Sequence, residues 1–272
     1  MAFLRGQLGV LNRRVQGYLL YSHVWPTAFT RAFGKIHGRV MYAFYGTRSS
    51  HTVLEPRHYL ARLLKPGDAY MDIGASYGDT IRIAVDAVGS QGKIYAFEPQ
   101  TDVFQQLVQM IKRFGWDTVT PVQTLVGDHT GACVMYKHPT NSRISSISPA
   151  WNNIQSTPIS YPITKLDDWV AAHGVKRVDF IKIDVEGAEL QVVRGAKTLL
   201  STNRPTLLME INNRKLRSDK LGYTIDDLLS ELRQVGYRRF QVLRLQGLVS
   251  FEAEADLLEA DRDMIAHSQH VA

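Results

Sequence analysis

Short apolar runs alternate with stretches of helical periodicity along most of this chain. Five runs have the length and the β-branched and aromatic content of buried strands. They are the run that ends at Gly74 and the runs over 93–97, 119–126, 180–185 and 206–211. Between them, apolar residues recur every three or four positions, as in the predicted helices over 80–88 and 104–111. This alternation favours a doubly wound α/β fold, in which a mostly parallel sheet carries helices on both faces.

The pattern continues beyond the fifth run. Thr224 with Asp227 three residues later predicts the start of a further helix, which Gly236 ends. Two final strands are expected over 240–245 and 248–252. The segment that follows is polar with a short helical pattern, so the expected domain covers 55–255 and a C-terminal tail covers 256–272.

Residues 1–54 form a separate extension with its own pattern. Apolar residues at helical spacing predict two amphipathic helices on either side of Pro26. The extension contains seven Arg and Lys residues and no Asp or Glu, so it accounts for the whole net charge of +6. A helical cover or lid over the main domain is the first interpretation, and a basic surface that contacts an anionic membrane peripherally is the second. Its charges recur too often for a membrane span.

One long segment, 136–162, interrupts the alternation. It is rich in Ser, Asn, Pro and Thr and shows no clear period, which predicts a long connection. Because long loops in compact domains are usually functional, this one is expected to form part of a substrate wall. A surface excursion with a short hairpin is the alternative. The single cysteine, Cys133, excludes an intramolecular disulfide and a Cys/His zinc cluster, which suits a cytoplasmic protein.

The chemistry-bearing residues cluster where the predicted strands end. Carboxylates close or follow all five strands: Asp72, Glu98, Asp128, Asp184 and Glu210. In an open parallel sheet, ligands bind outside the carboxyl ends of the strands. Charged groups are seldom buried without a partner or ligand, so five in succession indicate a binding site.

A glycine-containing turn follows the first strand and predicts a cofactor site. Its candidate contacts are Asp72, Gly74, Ser76, Gly78 and Thr80, with Glu98 after the second strand to hold a ribose and Asp128 to meet an adenine edge. The sequence has no G-x-x-x-x-G-K-[ST] and this turn does not satisfy G-x-G-x-x-G, so a cofactor without phosphates fits better. S-adenosylmethionine (SAM) is such a cofactor, and NAD stays open as the rival.

Three segments together resemble the FkbM family of SAM-dependent methyltransferases. They are Asp72-Ile-Gly-Ala-Ser-Tyr-Gly78, Phe97-Glu98-Pro99 and Ile181-Lys-Ile-Asp-Val-Glu-Gly-Ala-Glu189, followed by Arg194-Gly-Ala196 and Pro205 to Glu210. The resemblance spans about residues 50–250, and Ser76 replaces the family's usual Asn. It implies a Rossmann-like class I methyltransferase fold with a seven-stranded sheet. It also implies O-methylation of a hydroxyl on a small molecule, such as a sugar or a natural-product scaffold.

The fourth strand is expected to carry the catalytic residues. Strand alternation places Lys182, Asp184 and Glu186 on one side, and Asp184 is the first choice for orienting the acceptor hydroxyl. Lys182 pairs with a carboxylate or takes part in catalysis, and His129 is a second candidate base. Glu186 is expected in the first turn of a helix continuous with the strand, where its charge favours that helix end.

A metal site is the alternative use of the same carboxylates. Asp184, Glu186, Glu210 and Asn212 supply oxygen ligands of the kind that Mg²⁺ or Mn²⁺ accepts.

Two other functions are less compatible with the sequence. A nucleic-acid methyltransferase is disfavoured because Asp-Val-Glu-Gly, rather than an Asn-Pro-Pro-Tyr type of motif, follows the fourth strand. A non-catalytic SAM-binding protein is disfavoured because the strand-end carboxylates are present.

Overall fold

The computed structural model describes residues 56–148, 156–211, 222–244, 247–253 and 263–268, which form eleven strands and two sheets. In chain order the strands are β1 (Ala69–Ile73), β2 (Lys93–Phe97), β3 (Val119–Val122), β4 (Leu125–Val126), β5 (Gly131–Lys137), β6 (Thr157–Thr164), β7 (Phe180–Ile183), β8 (Thr206–Glu210), β9 (Tyr237–Arg244), β10 (Gly247–Phe251) and β11 (Asp263–Ser268). The extension over 1–54 lies outside the described residues.

Five parallel strands form one side of the large sheet, in the order β3-β2-β1-β7-β8. The chain starts with β1, moves outward to β3 at the edge, and returns through β7 to the other side of β1. The order in which strands are added therefore reverses between β1 and β7, which creates a crevice at their carboxyl ends. The predicted parallel α/β sheet is confirmed.

The far side of the sheet differs from the expectation. The predicted final strands are present as β9 and β10, but β11 lies between β8 and β9 and is antiparallel to both. The sheet therefore has eight strands, one more than the predicted seven. Residues 263–268 were expected in a separate tail, but they are a strand of the sheet with Met264, Ile265 and Ala266 buried. A boundary at 255 does not separate a domain from a tail.

Helices cover both faces of the sheet, as predicted. They are α1 (Pro56–Leu63), α2 (Asp79–Val88), α3 (Thr101–Phe114), α4 (Leu166–Ala172), α5 (Glu189–Arg194), α6 (Lys197–Asn203) and α7 (Ile225–Gln234). Neighbouring residues of β1 serve opposite faces: Tyr70 joins a core with Ile81 of α2, while Met71 joins a core with Leu190 of α5. The period of two along a strand produces this division.

Part of the segment expected as one long loop has regular structure. Residues 131–137 and 157–164 are β5 and β6, and β6 pairs with both β5 and β4 as the middle strand of a three-stranded sheet. The predicted third strand over 119–126 is two strands, because β3 belongs to the large sheet and β4 to the small one. Residues 138–148, called the strap below, connect β5 towards β6 and contain one short 3-10 turn, Ser142–Ile144.

The described helices include none that is both long and apolar enough to cross a membrane.

Candidate active site

The turn between β1 and α2 packs directly against the end of β7. Gly74 has a φ of 85°, and a Cβ added there would lie 1.9 Å from the carbonyl oxygen of Asp184. Gly78 has a φ of 80°, and its Cβ would lie 2.3 Å from the Cε atom of Met110. Both backbone conformations favour glycine, and at Gly74 the contact with fixed backbone also leaves no space for a side chain. Glycine at position 74 therefore allows β1 and β7 to approach each other at their carboxyl ends.

Glu98 follows β2 and is almost fully buried. Its Oε2 atom accepts a hydrogen bond from the Ser76 backbone N–H at 3.0 Å, and its Oε1 atom accepts one from the Gln100 N–H at 2.9 Å. Burial raises the pKa of Glu98 to about 7, and the two backbone donors oppose this effect. Each carboxylate oxygen keeps one further lone pair for a ligand hydroxyl.

A cavity of about 260 Å³ opens beside Glu98 at the strand ends. Six residues predicted from the sequence for the site line it: Gly74, Ser76, Glu98, Asp184, Glu186 and Glu210. Its wall near β4 is mainly apolar, with Leu125, Val126 and Met135. The cavity lining therefore combines several carboxylates with an apolar wall.

Asp72 and Thr80 lie behind this cavity and do not line it. The Asp72 side chain is completely buried, accepts a hydrogen bond from the Thr80 hydroxyl, and lies 3.3 Å from the Nζ atom of Lys182. A buried charge is costly unless it is paired and hydrogen-bonded, and here both conditions are met. Asp72 thus stabilises the sheet at the site, and the structure gives it no surface towards the cavity.

Lys182 lies between two carboxylates. Its Nζ atom is 3.0 Å from Asp184 Oδ2 as well as 3.3 Å from Asp72 Oδ1. Burial alone would lower the pKa of Lys182, but Asp184 and Asp72 outweigh it and raise this pKa above its usual range. The side chain therefore remains a cation and does not accept a proton from a substrate.

Asp184 is the carboxylate that links this buried pair to the cavity. Burial alone would raise its pKa, but Lys182 and a hydrogen bond with Glu210 outweigh it and lower the pKa of Asp184. The pKa of Glu210 is raised by burial and by the charge of Asp184. These opposite shifts favour protonation of Glu210 over Asp184, so Asp184 is the better hydrogen-bond acceptor of the pair.

Glu186 does not lie in a helix, contrary to the expectation. The fourth strand ends at Ile183 and α5 begins only at Glu189, so the predicted continuous helix is wrong. Glu186 has a φ of 53°, and the loop is fastened by Glu189, which accepts hydrogen bonds from the Gly187 N–H and the Tyr223 hydroxyl. Single oxygens of Asp184, Glu186 and Glu210 all lie within 4.8 Å of one another, while Asn212 lies outside the described residues.

Asp128 and His129 stay away from the cavity. Their side chains are 41% and 53% exposed, and Asp128 Oδ1 lies 2.9 Å from His129 Nδ1. Neither residue belongs to the cavity lining. The structure therefore places neither side chain at this cavity, and the adenine contact of Asp128 and the base role of His129 stay predictions.

The strap closes one side of the cavity through Ser142, Arg143 and Ser145. Its backbone is tied to Gln100, whose Nε2 atom donates to the Ser142 carbonyl oxygen at 2.9 Å. The Tyr77 hydroxyl lies 2.8 Å from Ser142 Oγ. Sequence reasoning did not single out Gln100, Tyr77 or Arg143. Only the position of Gln100, two residues after the ribose-binding candidate Glu98, could have drawn attention to it.

The central strand order, the glycine turn after β1 and the carboxylate after β2 together define a class I SAM-dependent methyltransferase fold. The family model described as the methyltransferase FkbM domain matches residues 72–239. The chain belongs to this family, which confirms the resemblance found in the sequence and sets aside NAD as the cofactor.

Known proteins similar to this chain carry related descriptions. A 2-O-methyltransferase, NoeI, of Sinorhizobium fredii is 25% identical over 175 residues, which are 58% of this chain and 70% of that protein. The solved methyltransferase FkbM of Methylobacillus flagellatus has 17% identity and a TM-score of 0.48, over 78% of this chain. This chain covers only 50% of that protein's length. Fibrillarin of Aeropyrum pernix, solved with bound SAM, has 18% identity and a TM-score of 0.45, over 75% of this chain and 68% of that one.

Proposed function

We propose that this protein transfers the methyl group of SAM to a hydroxyl oxygen of a small-molecule acceptor, such as a sugar or a natural-product scaffold. The observation that carries the proposal is that Glu98 and Asp184 line the same cavity, and that the pKa of Asp184 is lowered. The similarity to a 2-O-methyltransferase supports oxygen as the methyl acceptor.

The residues present fit SAM. Glu98 is a buried carboxylate with lone pairs left for two ribose hydroxyls, and the apolar wall of Leu125, Val126 and Met135 suits an adenine ring. Gly74 and Ser76 line the cavity, and the absence of a Cβ at Gly74 lets this turn pack against the Asp184 backbone at the cavity wall. When bound, SAM supplies a methyl group to the acceptor oxygen, and its sulfur keeps the bonding electron pair.

Asp184 has the catalytic role in this proposal. Its carboxylate accepts the hydrogen bond of the acceptor hydroxyl and directs an oxygen lone pair towards the methyl group, which is worth about 10²- to 10⁴-fold in rate for general-base positioning. Lys182 fixes the orientation of Asp184 from behind at 3.0 Å. The low pKa of Asp184 suits a residue that orients the hydroxyl and receives its proton late, as the oxygen–carbon bond forms.

A divalent cation held by Asp184, Glu186 and Glu210 is the second version of this mechanism. The spacing of the three carboxylates fits Mg²⁺ or Mn²⁺ loosely, and a metal would orient the acceptor oxygen as a Lewis acid. We favour the metal-independent version because the Lys182 ammonium already neutralises Asp184. A role of Glu186 at a helix start would also have favoured the metal-independent version, but α5 begins three residues later and gives no such support.

Screening hydroxylated acceptors by mass spectrometry tests the proposed function directly. Sugars and polyketide-like alcohols are incubated with the protein and SAM, and a gain of one methyl group per product is expected. Turnover of an oligonucleotide instead would favour a nucleic-acid methyltransferase, which we consider the weaker alternative. If SAM binds and no acceptor of any class is methylated, the protein is a non-catalytic SAM-binding protein.

The extension over 1–54 lies outside the described residues, and its role is a proposal from sequence alone. Its amphipathic pattern and seven positive charges support a cover over the acceptor site, with peripheral contact to an anionic membrane as the alternative. Both roles are compatible with a cytoplasmic location, which the single cysteine supports.

A further inference from the structure

Gln100 joins two parts of the site that are far apart in sequence. Its backbone N–H donates to Glu98 Oε1 at 2.9 Å. Its side chain both donates to the strap and accepts from it. Nε2 donates to the Ser142 carbonyl oxygen at 2.9 Å, and Oε1 accepts from the Ser145 hydroxyl at 3.2 Å. Gln100 is only 4% exposed, so losing either side-chain partner would leave a buried polar group unsatisfied.

The strap has few other attachments to the large sheet. On the side of β1, the Tyr77 hydroxyl contacts Ser142 Oγ at 2.8 Å, and Arg143 forms a salt bridge with Asp79 at 2.9 Å. On the side of β7, the Ser146 hydroxyl donates to the Glu186 carbonyl oxygen at 2.6 Å. The first two attachments lie on partly exposed groups, whereas the Gln100 contacts are buried. Among these attachments, those of Gln100 and Ser146 come from buried side chains, so water competes with them less than with the other two.

We infer that Gln100 is a positioning residue that couples the carboxylate of Glu98 to the strap, so that filling the cofactor site also orders the wall against which the acceptor binds. The inference rests on the proposed function, in which Glu98 binds the ribose. A ribose that engages Glu98 fixes the chain at 98–100, and the amide of Gln100 carries this restraint to Ser142 and Ser145. Binding and order then favour each other reciprocally.

Hydrogen–deuterium exchange of residues 138–148 tests this coupling. The whole chain is compared with and without S-adenosylhomocysteine, the demethylated product of SAM. Binding should slow exchange of the strap in the parent by about tenfold, a typical size for coupling between two sites. Gln100→Met keeps the side-chain volume but removes both contacts, so its strap should exchange faster without ligand and gain little protection with it.

Gln106→Ala is the matched control. Gln106 lies in α3, the helix that begins directly after Gln100, is exposed, and its side-chain amide donates to the Asp102 carbonyl oxygen at 3.3 Å. In Gln106→Ala the strap should exchange at the same rates as in the parent, both with and without S-adenosylhomocysteine. A second variant, Ser145→Ala, removes one of the two Gln100 contacts and should give an intermediate result, which keeps the test available if Gln100→Met does not fold.

A second readout separates positioning from a merely structural role. Burial raises the pKa of Glu98, the hydrogen bonds from the Gln100 backbone and side chain lower it, and the charge of Asp102 in α3 raises it slightly further. The Tyr161 hydroxyl of β6 is near enough to feel the charge of Glu98. In Gln100→Met the pH midpoint of SAM affinity should therefore shift upward, and Gln106→Ala should leave it unchanged. Acceptor KM should rise more than kcat falls, because the wall is loosened and Asp184 is intact.

The outcomes distinguish this inference from the proposed function. If S-adenosylhomocysteine protects the strap equally in the parent and in Gln100→Met, the coupling is refuted while the cofactor site stands. If Glu98→Ala binds SAM as tightly as the parent, the cofactor site itself is wrong, and the coupling fails with it. Faster strap exchange in Gln100→Met, together with weak protection and a shifted midpoint, supports the inference.

Discussion

Lys182 and Asp72 face each other across two neighbouring parallel strands. The register pairs these residues directly, and Lys182 Nζ lies 3.3 Å from Asp72 Oδ1 in a fully buried position. Removing one member of a buried ion pair leaves the other charge uncompensated, which typically costs about 3–5 kcal/mol. Lys182→Met should therefore lower the free energy of unfolding by roughly that amount. Denaturant unfolding measures it.

Lys197 offers the control for this prediction. It forms a salt bridge with Glu231 at 2.7 Å, but its side chain is 46% exposed. Exposed pairs contribute about 0–1 kcal/mol, so Lys197→Met should change stability little. Equal losses in the two variants would show that Lys182 has no special structural role.

Gly74→Ala should abolish cofactor binding and destabilise the protein. The new Cβ would lie 1.9 Å from the Asp184 carbonyl oxygen, so β1 and β7 must separate at their ends. Gly67→Ala is a matched control because Gly67 has the same φ of 85° and no atom within 4 Å of the added Cβ. Both variants carry the conformational cost of about 1–2 kcal/mol, and only Gly74→Ala adds the collision. Calorimetry of SAM binding separates them.

SAM affinity should depend on pH through Glu98. Its pKa is about 7 in the free protein because it is buried, so the carboxylate is charged above pH 7 and protonated below it. The charged form accepts ribose hydroxyls better, so affinity should fall as pH falls. Between pH 8 and pH 6 the dissociation constant should rise by about tenfold. A flat profile in the parent would contradict this, and Glu98→Gln should bind more weakly with a flat profile.

Asp184→Asn should lower turnover by about 10²-fold or more while SAM affinity stays close to that of the parent. The amide keeps the shape but cannot accept the hydroxyl proton. If the mechanism depends on a metal, EDTA should abolish the activity of the parent and Mg²⁺ or Mn²⁺ should restore it, and Glu210→Gln should raise the metal concentration required. Wild-type turnover of Asp184→Asn in EDTA would eliminate both versions.

A chain that begins at Thr52 tests the extension. If 1–54 is a cover, the shortened chain should fold and bind SAM but lose activity on the acceptor. Full activity with loss of sedimentation on anionic vesicles would favour the membrane alternative. An insoluble product would show that the two predicted helices belong to the core.

The central sheet and the cofactor end of the site were predictable because local sequence determines them. Gly74 and Gly78 mark a turn whose left-handed backbone favours glycine, and the parallel strands are mainly apolar runs. Family motifs in the same places led to the correct family. These features depend on residues that are close in sequence, and on a strand order for which the rules of chain connection leave few alternatives.

Features that depend on distant contacts were missed. Strand β11 has a short, partly polar sequence, and only its two neighbouring strands make residues 263–268 a buried strand. Strands β5 and β6 are half-exposed, so their apolar periodicity is weak. Tertiary pairing overrides local propensity in both cases.

The insertion of β11 between β8 and β9 has a consequence for the order of folding. During synthesis, the hairpin of β9 and β10 leaves the ribosome before the strand that attaches it to the rest of the sheet. Until residues 263–268 emerge, β8 has an unpaired edge and the hairpin has no place to dock. Closure of such non-local pairs is slow, so both edges remain open to pairing with other chains for that interval.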